Sequence, residues 1–242
     1  MKLITFGDSW VRGVGAEYRE GMTEEEYKEM AWNESKYCFR NLVSKRLGMK
    51  NLNKSLPGSS NQTQFRKAME LFFGKNKIEL KDTDVVLWGI TSVYRTELWY
   101  DKEAEWKTIF LPDSETAISR ILATQHHSPD EEIRILGHQM QLWNTYFRSM
   151  NVKNYWFSVF NDHRWDISID NLLFENSSLL SMLIDDAGEN NFYHKSDWQD
   201  EDKKIQVAKK LKLVNPISGH PTIEGHRILA DVLTKELKGR IK

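Results

Sequence analysis

Short apolar runs that alternate with amphipathic helical patterns constrain the fold of this chain more than any other feature. Four runs, at 3–6, 51–53, 84–88 and 154–159, have the length of buried strands and end in small or polar residues. Helical patterns at 34–47, 62–73, 131–150 and 223–237 separate or follow them. Alternation of this kind predicts an α/β fold, in which helices cover both faces of a mostly parallel sheet.

The length of 242 residues fits one α/β domain that needs neither metal nor disulfide to build its core. We therefore predict a single domain over residues 1–242. Two stretches, at about 100–130 and 185–204, replace the periodic apolar residues by acidic, amide and aromatic ones. These stretches are interpreted as insertions near the rim of the domain.

The charge balance argues against several classes of partner. The chain has 34 basic and 35 acidic side chains and a pI near 6.7, so it lacks the positive field that concentrates nucleic acid or anionic lipid. Cys38 is the only cysteine, which rules out an internal disulfide. No apolar run has the length of a signal peptide core or a membrane helix. We expect a cytoplasmic protein with no nucleic acid or membrane partner.

Two blocks near opposite ends of the sequence carry the polar residues of greatest interest. Gly7-Asp8-Ser9-Trp10 follows the first predicted strand, so Ser9 is expected at the carboxyl edge of the sheet, where α/β proteins place their sites. His220-Pro221 precedes the last predicted helix and is followed by Gly225-His226. A serine and a histidine brought to one edge form the pair that nucleophilic catalysis requires.

With these two blocks the chain resembles the GDSL/SGNH hydrolases over essentially its whole length. The resemblance implies a three-layer α/β/α sandwich with a flavodoxin-like parallel sheet of about five strands. It also implies Ser9 as the nucleophile and His220 as the base. The Gly-x-Ser-x-Gly elbow of the α/β-hydrolase fold is absent around Ser9.

Two inner blocks of the family map onto this chain to different degrees. Gly58, in Leu56-Pro57-Gly58-Ser59, resembles the family's oxyanion-hole glycine, which would act with the Ser9 N–H. Thr91 stands where the family has an asparagine, so its hydroxyl is the expected third donor. Thr91 together with Arg95 resembles a divergent branch of these hydrolases found in phage genomes.

The family's triad acid is missing, because Ile217 and Ser218 occupy the positions where an aspartate normally precedes the histidine. A neutral group can orient the imidazole without supplying charge. We predict Ser218 or Asn215 in this role, or a backbone carbonyl, and hence a Ser-His dyad that is slower than a triad.

Other polar and aromatic residues add candidates for substrate binding. Trp10 lies next to the nucleophile, and Arg95 is suited to a substrate carboxylate or to a local acid such as Glu97. No histidine pair has the spacing of a helical metal site, so neither a metal nor a cofactor is predicted.

The favoured function is hydrolysis of a small-molecule or carbohydrate ester, with O-deacetylation of a carbohydrate as the favoured subclass. Two alternatives belong to other classes. One is a weakly active or inactive binding or structural protein, associated with a virion, that keeps the fold without the chemistry. The other is a nucleotide-binding flavodoxin-like protein, which lacks a complete Gly-x-Gly-x-x-Gly fingerprint here. The sequence does not predict an oligomeric state.

Overall fold

A computed structural model of the protein describes residues 1–30, 35–100, 105–111, 128–162, 165, 167–175, 177–186 and 201–241. Its strands are β1 (Lys2–Phe6), β2 (Lys50–Asn53), β3 (Val85–Ile90), β4 (Arg95–Tyr100), β5 (Glu105–Phe110) and β6 (Lys153–Ser158). Four of them form one parallel sheet in the order β2-β1-β3-β6. These four strands confirm the four apolar runs of the sequence.

Helices cover both faces of this sheet, as the alternation predicts. They are α1 (Ser9–Arg12), α2 (Glu24–Met30), α3 (Phe39–Arg46), α4 (Asn61–Phe73), α5 (Pro129–Ser149), α6 (Leu179–Asp186), α7 (Glu201–Lys210) and α8 (Ile223–Arg240). Successive strand residues point to opposite faces, so the side chains of the sheet contribute to two separate cores. One core contains Leu3, Val85 and Leu87 with α1, α3, α6, α7 and α8; the other contains Ile4, Val86 and Trp88 with α4 and α5.

The described sheet has four strands instead of the five expected. On the outer side of β6 there are only isolated parallel bridges, at Leu172 and Ser178. Asn171 and Phe174 have φ values of 61° and 59°, which interrupt the extended conformation on either side of Leu172. The described part of the chain therefore pairs with the outer side of β6 at single residues and forms no strand there.

The first predicted insertion contains regular structure. β4 and β5 pair as an antiparallel hairpin, in which Arg95 lies opposite Phe110. Glu97 fixes this hairpin to α4, because its carboxylate accepts hydrogen bonds from Arg66 Nη2 at 2.6 Å and from Thr63 Oγ1 at 2.9 Å. Residues 101–104 and 112–127 of this insertion and 187–200 of the second lie outside the described residues. The end of α6 and the start of α7 lie within the second insertion.

Candidate active site

The carboxyl edge of the sheet brings the predicted residues together, starting with α1 directly after β1. Gly7 and Gly89 make room for Val11 of this short helix: a Cβ at either glycine would lie 2.3 or 2.4 Å from Val11 Cγ2. No side chain fits there, so α1 packs directly on the ends of β1 and β3. Ser9 is the first residue of α1 and is 7% exposed.

Asp8 organises the chain around Ser9, although the sequence reasoning assigned it no role. Its Oδ1 caps α1 by accepting from the Trp10 N–H at 2.9 Å. Its Oδ2 accepts from Thr91 Oγ1 at 2.9 Å and from Arg95 Nη1 at 3.2 Å. An aspartate immediately before a predicted helix is a sequence signal for such a cap. The fully buried carboxylate thus joins the ends of β1 and β3.

Thr91 and Arg95 reach the site, but their contacts differ from those expected. A hydroxyl has one hydrogen, and that of Thr91 is directed to Asp8, so it is not available to an oxyanion. Asn61, at the start of α4, fixes the Thr91 backbone by accepting from its N–H and donating to its carbonyl, both at 3.0 Å. The partner of Arg95 is Asp8 and not Glu97.

His220 lies on the loop before α8, in contact with the segment that follows Ser9. Val14 N–H donates to the Ser9 carbonyl at 3.0 Å, and Gly15 comes next with a φ of 90°. A Cβ at Gly15 would lie 2.6 Å from the Cβ of His220 and 2.9 Å from Asn215 Nδ2. Only glycine allows this approach, so the serine and histidine segments pack backbone against side chain.

The orientation of Asn215 is determined by its backbone partners. Its Oδ1 accepts from the Ser218 N–H at 2.8 Å, and its Nδ2 donates to the His220 carbonyl at 3.0 Å. An N–H only donates and a carbonyl only accepts, so the amide cannot be reversed. Ser218 Oγ lies 3.1 Å from Asn215 Oδ1, in a position to donate its single hydrogen to that oxygen.

This assignment favours one tautomer of His220. Its Nδ1 lies 2.7 Å from Ser218 Oγ, whose hydrogen already points to Asn215. With the Ser218 hydrogen directed to Asn215, Nδ1 is the donor of this contact, so that Nδ1 carries the hydrogen and Nε2 has the free lone pair. An imidazole in this state is ready to accept a proton at Nε2. Ser218 is the direct contact of the ring, and Asn215 acts through Ser218.

The nucleophile candidate itself makes no side-chain hydrogen bond within the described part of the chain. In particular, Ser9 Oγ and His220 Nε2 are not hydrogen-bonded to each other. Catalytic hydrogen bonds are often long before a substrate binds. Across the ranges that the structure covers, the backbone N–H groups of Ser9 and Gly58 also lack an acceptor. An oxyanion hole is built from N–H groups that have no other acceptor.

Gly58 is held near this edge by its neighbours. The Gly7 carbonyl, just before Asp8 and Ser9, accepts from the Leu56 N–H at 2.9 Å and from Ser59 Oγ at 3.1 Å. The exposed Gly58 between them has a φ of 70°. This loop therefore sits on the strand end that leads to the serine.

The electrostatic environment keeps His220 neutral. Burial lowers its pKa from the ordinary 6.5 to about 4; the negative charge of Asp8 opposes this shift, and the positive charge of Arg95 adds to it. The fully buried His226 is similar: burial, helped by His220 and Arg40, lowers its pKa to about 3. At neutral pH both rings are uncharged.

Trp10 and the predicted absence of a metal site can also be compared with the structure. Trp10 is 2% exposed and packs edge-on against Phe160, with ring centroids 5.1 Å apart, so it belongs to the core and offers no surface to a substrate. The described residues contain no group of three or more His, Cys, Asp or Glu side chains placed to hold a metal ion. Within the same residues, no helix combines the length and apolar character that crossing a membrane requires.

Neither a protein-family profile nor a curated protein sequence matches the chain. Solved structures do match. A carbohydrate esterase whose active site displays divergent catalytic and non-catalytic binding functions has 12% identity and a TM-score of 0.50, with 99% of this chain and 69% of that chain covered. An acetyl xylan esterase from the rumen bacterium Butyrivibrio proteoclasticus has 10% identity and a TM-score of 0.51, with 99% and 64% covered. The chain therefore has the α/β fold of these esterases, which confirms the fold predicted from its sequence.

Proposed function

We propose that this protein is a serine esterase in which Ser9 is the nucleophile and His220 the general base. The observation that carries the proposal is the 2.7 Å contact between His220 Nδ1 and Ser218 Oγ, which orients the ring and, with Nδ1 as the donor, leaves the Nε2 lone pair free. The fold shared with solved esterases supports it at the level of architecture. The free N–H groups of Ser9 and Gly58 are the proposed donors of the oxyanion hole.

The reaction follows from these positions. His220 Nε2 takes the hydroxyl proton of Ser9 as Oγ attacks the ester carbonyl carbon, and the resulting oxyanion accepts hydrogen bonds from the Ser9 and Gly58 N–H groups. The tetrahedral intermediate collapses, and His220 returns the proton to the departing alcohol oxygen. His220 then deprotonates a water molecule that attacks the acyl-Ser9 ester. The second collapse releases the acid and restores the serine.

In the proposed mechanism, Thr91 and Arg95 act indirectly, through Asp8. Their hydrogen bonds to Asp8 hold the cap of α1, and so position Ser9. Two backbone donors then stabilise the oxyanion where Thr91 was expected to add a third. Because each such donor contributes about 10²-fold or more to kcat, we expect a slow esterase.

We propose a carbohydrate O-acetyl ester as the substrate class. The two solved structures described above are a carbohydrate esterase and an acetyl xylan esterase. A small cleft that Arg95 lines, and that Ser9, Gly58 and His220 do not line, offers amide, carboxylate and guanidinium groups that can bind hydroxyl groups. The lining residues are Asn61, Gln62, Val93, Arg95, Glu132, Ile135, Leu136 and Gln139.

A serine-directed phosphonate ester is expected to label Ser9. The base-activated oxygen attacks phosphorus and displaces the leaving group, which leaves a covalent adduct that peptide mass spectrometry locates. His220→Ala should label much more slowly, because the proton of Ser9 then has no acceptor. Adducts on other serines, or equal labelling rates in the two proteins, would refute the proposal.

The low pKa of His220 predicts that hydrolysis persists in mildly acidic solution. The reaction needs neutral Nε2, so kcat/KM should fall as the pH approaches about 4, and not near the ordinary 6.5. A pH profile of kcat/KM with a small acetyl ester measures this. A midpoint near 6.5 would contradict the environment assigned to His220.

Loss of folding has to be separated from loss of the base in this experiment. Both His220 and His226 have lower pKa values in the folded protein than the ordinary 6.5, so the unfolded chain binds more protons below that pH. The free energy of unfolding therefore decreases as the pH falls from 6.5 towards the folded pKa values, by up to about 1.4 kcal/mol per pH unit for each ring. Circular dichroism at each pH identifies the range in which the protein stays folded.

A second candidate function is carbohydrate binding without hydrolysis. The absence of a hydrogen bond between Ser9 Oγ and His220 Nε2 in the described structure, together with the engagement of Thr91 by Asp8, favours it. Calorimetric binding of acetylated oligosaccharides, with no release of acetate and no phosphonate labelling, would select this function. Association with a virion would belong to this alternative and stays a prediction.

A further inference from the structure

Tyr27 connects a separate part of the chain to the histidine loop. It lies on α2, is 4% exposed, and packs with Val14, Tyr18 and Ile217 in a small cluster apart from the two main cores. Tyr18 meets it edge-on, with ring centroids 6.2 Å apart. This packing directs the Tyr27 hydroxyl towards the loop that carries His220.

The hydrogen of the Tyr27 hydroxyl can be assigned in the same way as that of Ser218. Tyr27 Oη lies 2.6 Å from Ser218 Oγ and accepts from Asn215 Nδ2 at 3.4 Å. With the Ser218 hydrogen directed to Asn215, Tyr27 is the donor to Ser218 Oγ. Ser218 Oγ thus accepts from both Tyr27 and His220 Nδ1, and its one hydrogen and two lone pairs are all used.

We propose that Tyr27 is a positioning residue for His220, which acts by fixing the oxygen of Ser218. This inference rests on the proposed function for its role in catalysis, but the Nδ1 tautomer that it requires can be measured whether or not the protein turns over. Ser218 is exposed, and its hydroxyl can adopt three staggered rotamers, in each of which water can compete for its hydrogen bonds. The hydrogen bond from the buried Tyr27 selects one of them.

The role of Tyr27 is geometric because no member of this network is charged. An aspartate would attract the imidazolium that forms during reaction, whereas Ser218 only accepts from it. A neutral acceptor orients the ring well only if its own position is fixed. Hydrogen bonds with Tyr27 and Asn215 fix Ser218 Oγ. This neutral oxygen contacts the ring where the family has a carboxylate.

Tyr27→Phe tests the inference, with Tyr18→Phe as the matched control from the same cluster. Tyr27→Phe should lower kcat for a small acetyl ester about fivefold, the equivalent of one ordinary hydrogen bond, and leave KM unchanged. Tyr18→Phe removes a hydroxyl that has no hydrogen bond within the described residues, and should change neither constant. If the two variants behave alike, the inference is wrong.

Nitrogen-15 NMR of the His220 ring gives a readout independent of activity. In the wild type at neutral pH we expect the hydrogen on Nδ1, and in Tyr27→Phe a growing share on Nε2. A wild-type ring with its hydrogen on Nε2 would overturn the inference even if Tyr27→Phe fails to fold. An inactive wild type with the Nδ1 tautomer, lost in Tyr27→Phe, would sink the proposed esterase and leave the positioning role intact.

Discussion

Ser9→Ala is expected to reduce kcat/KM for a small acetyl ester by at least about 10³-fold, because it removes the attacking atom. The substitution deletes only one oxygen, and that oxygen makes no hydrogen bond in the part of the chain described. The cap from Asp8 to the Trp10 N–H and the backbone N–H of residue 9 are both retained. The loss should therefore appear in turnover without a change in Tm.

Ser149→Ala is a suitable control for this measurement. Ser149 lies at the end of α5, where its hydroxyl bonds to the Tyr146 carbonyl, far along the chain from either block of the site. It should leave kcat/KM unchanged. Equal hydrolysis by wild type and Ser9→Ala would show that the measured activity does not come from this site.

Ser218→Asp is expected to increase kcat by about 10- to 100-fold, because it supplies the carboxylate that the site lacks. The new side chain would accept from His220 Nδ1 and Tyr27 Oη, whose hydrogens already point to Ser218 Oγ. The negative charge would stabilise the imidazolium and raise the pKa of His220, so the acid limb of the pH profile should move upward. The gain falls short of a full triad, since Asn215 Oδ1 at 3.1 Å would face the new carboxylate.

The neutral variant Ser218→Asn separates charge from shape. Its side chain has nearly the same size as aspartate and also offers an oxygen to Nδ1, but it adds no charge. We expect no increase in kcat and no upward movement of the acid limb. A gain of equal size in both variants, or in neither, would contradict an electrostatic role for position 218.

Strand and helix positions could be predicted from the sequence because apolar residues on the buried face of an element recur with its period. The run at 84–88 matches β3, and the pattern at 131–150 matches α5 within two residues at either end. The number of strands could not be predicted as well, because positive φ values at Asn171 and Phe174 carry no such signal. The same holds for the hairpin of β4 and β5, where the aromatic and acidic composition resembles that of a loop.

In the site, too, the positions of residues could be predicted from the sequence, whereas some of their hydrogen-bond partners could not. The resemblance places Ser9, Gly58 and His220 in blocks that the fold brings to one edge, and Ser218 is a predicted orienter that contacts the ring. The Thr91 hydroxyl donates to Asp8, and this choice of acceptor depends on distances in the folded chain that the sequence does not contain. Trp10 was likewise predicted at the crevice, but its ring turns into the core.

The contact between Gly15 and His220 has a consequence for folding order. These residues are far apart in the sequence, so the segments that carry the proposed nucleophile and base come together through one of the least local contacts of the described residues. Contacts of this kind form late, because the loop between them must close first. A partly folded chain can have an ordered β1 and α1 and still lack its base. Recovery of catalytic activity during refolding would then report the final closure of the chain, after recovery of helical signal.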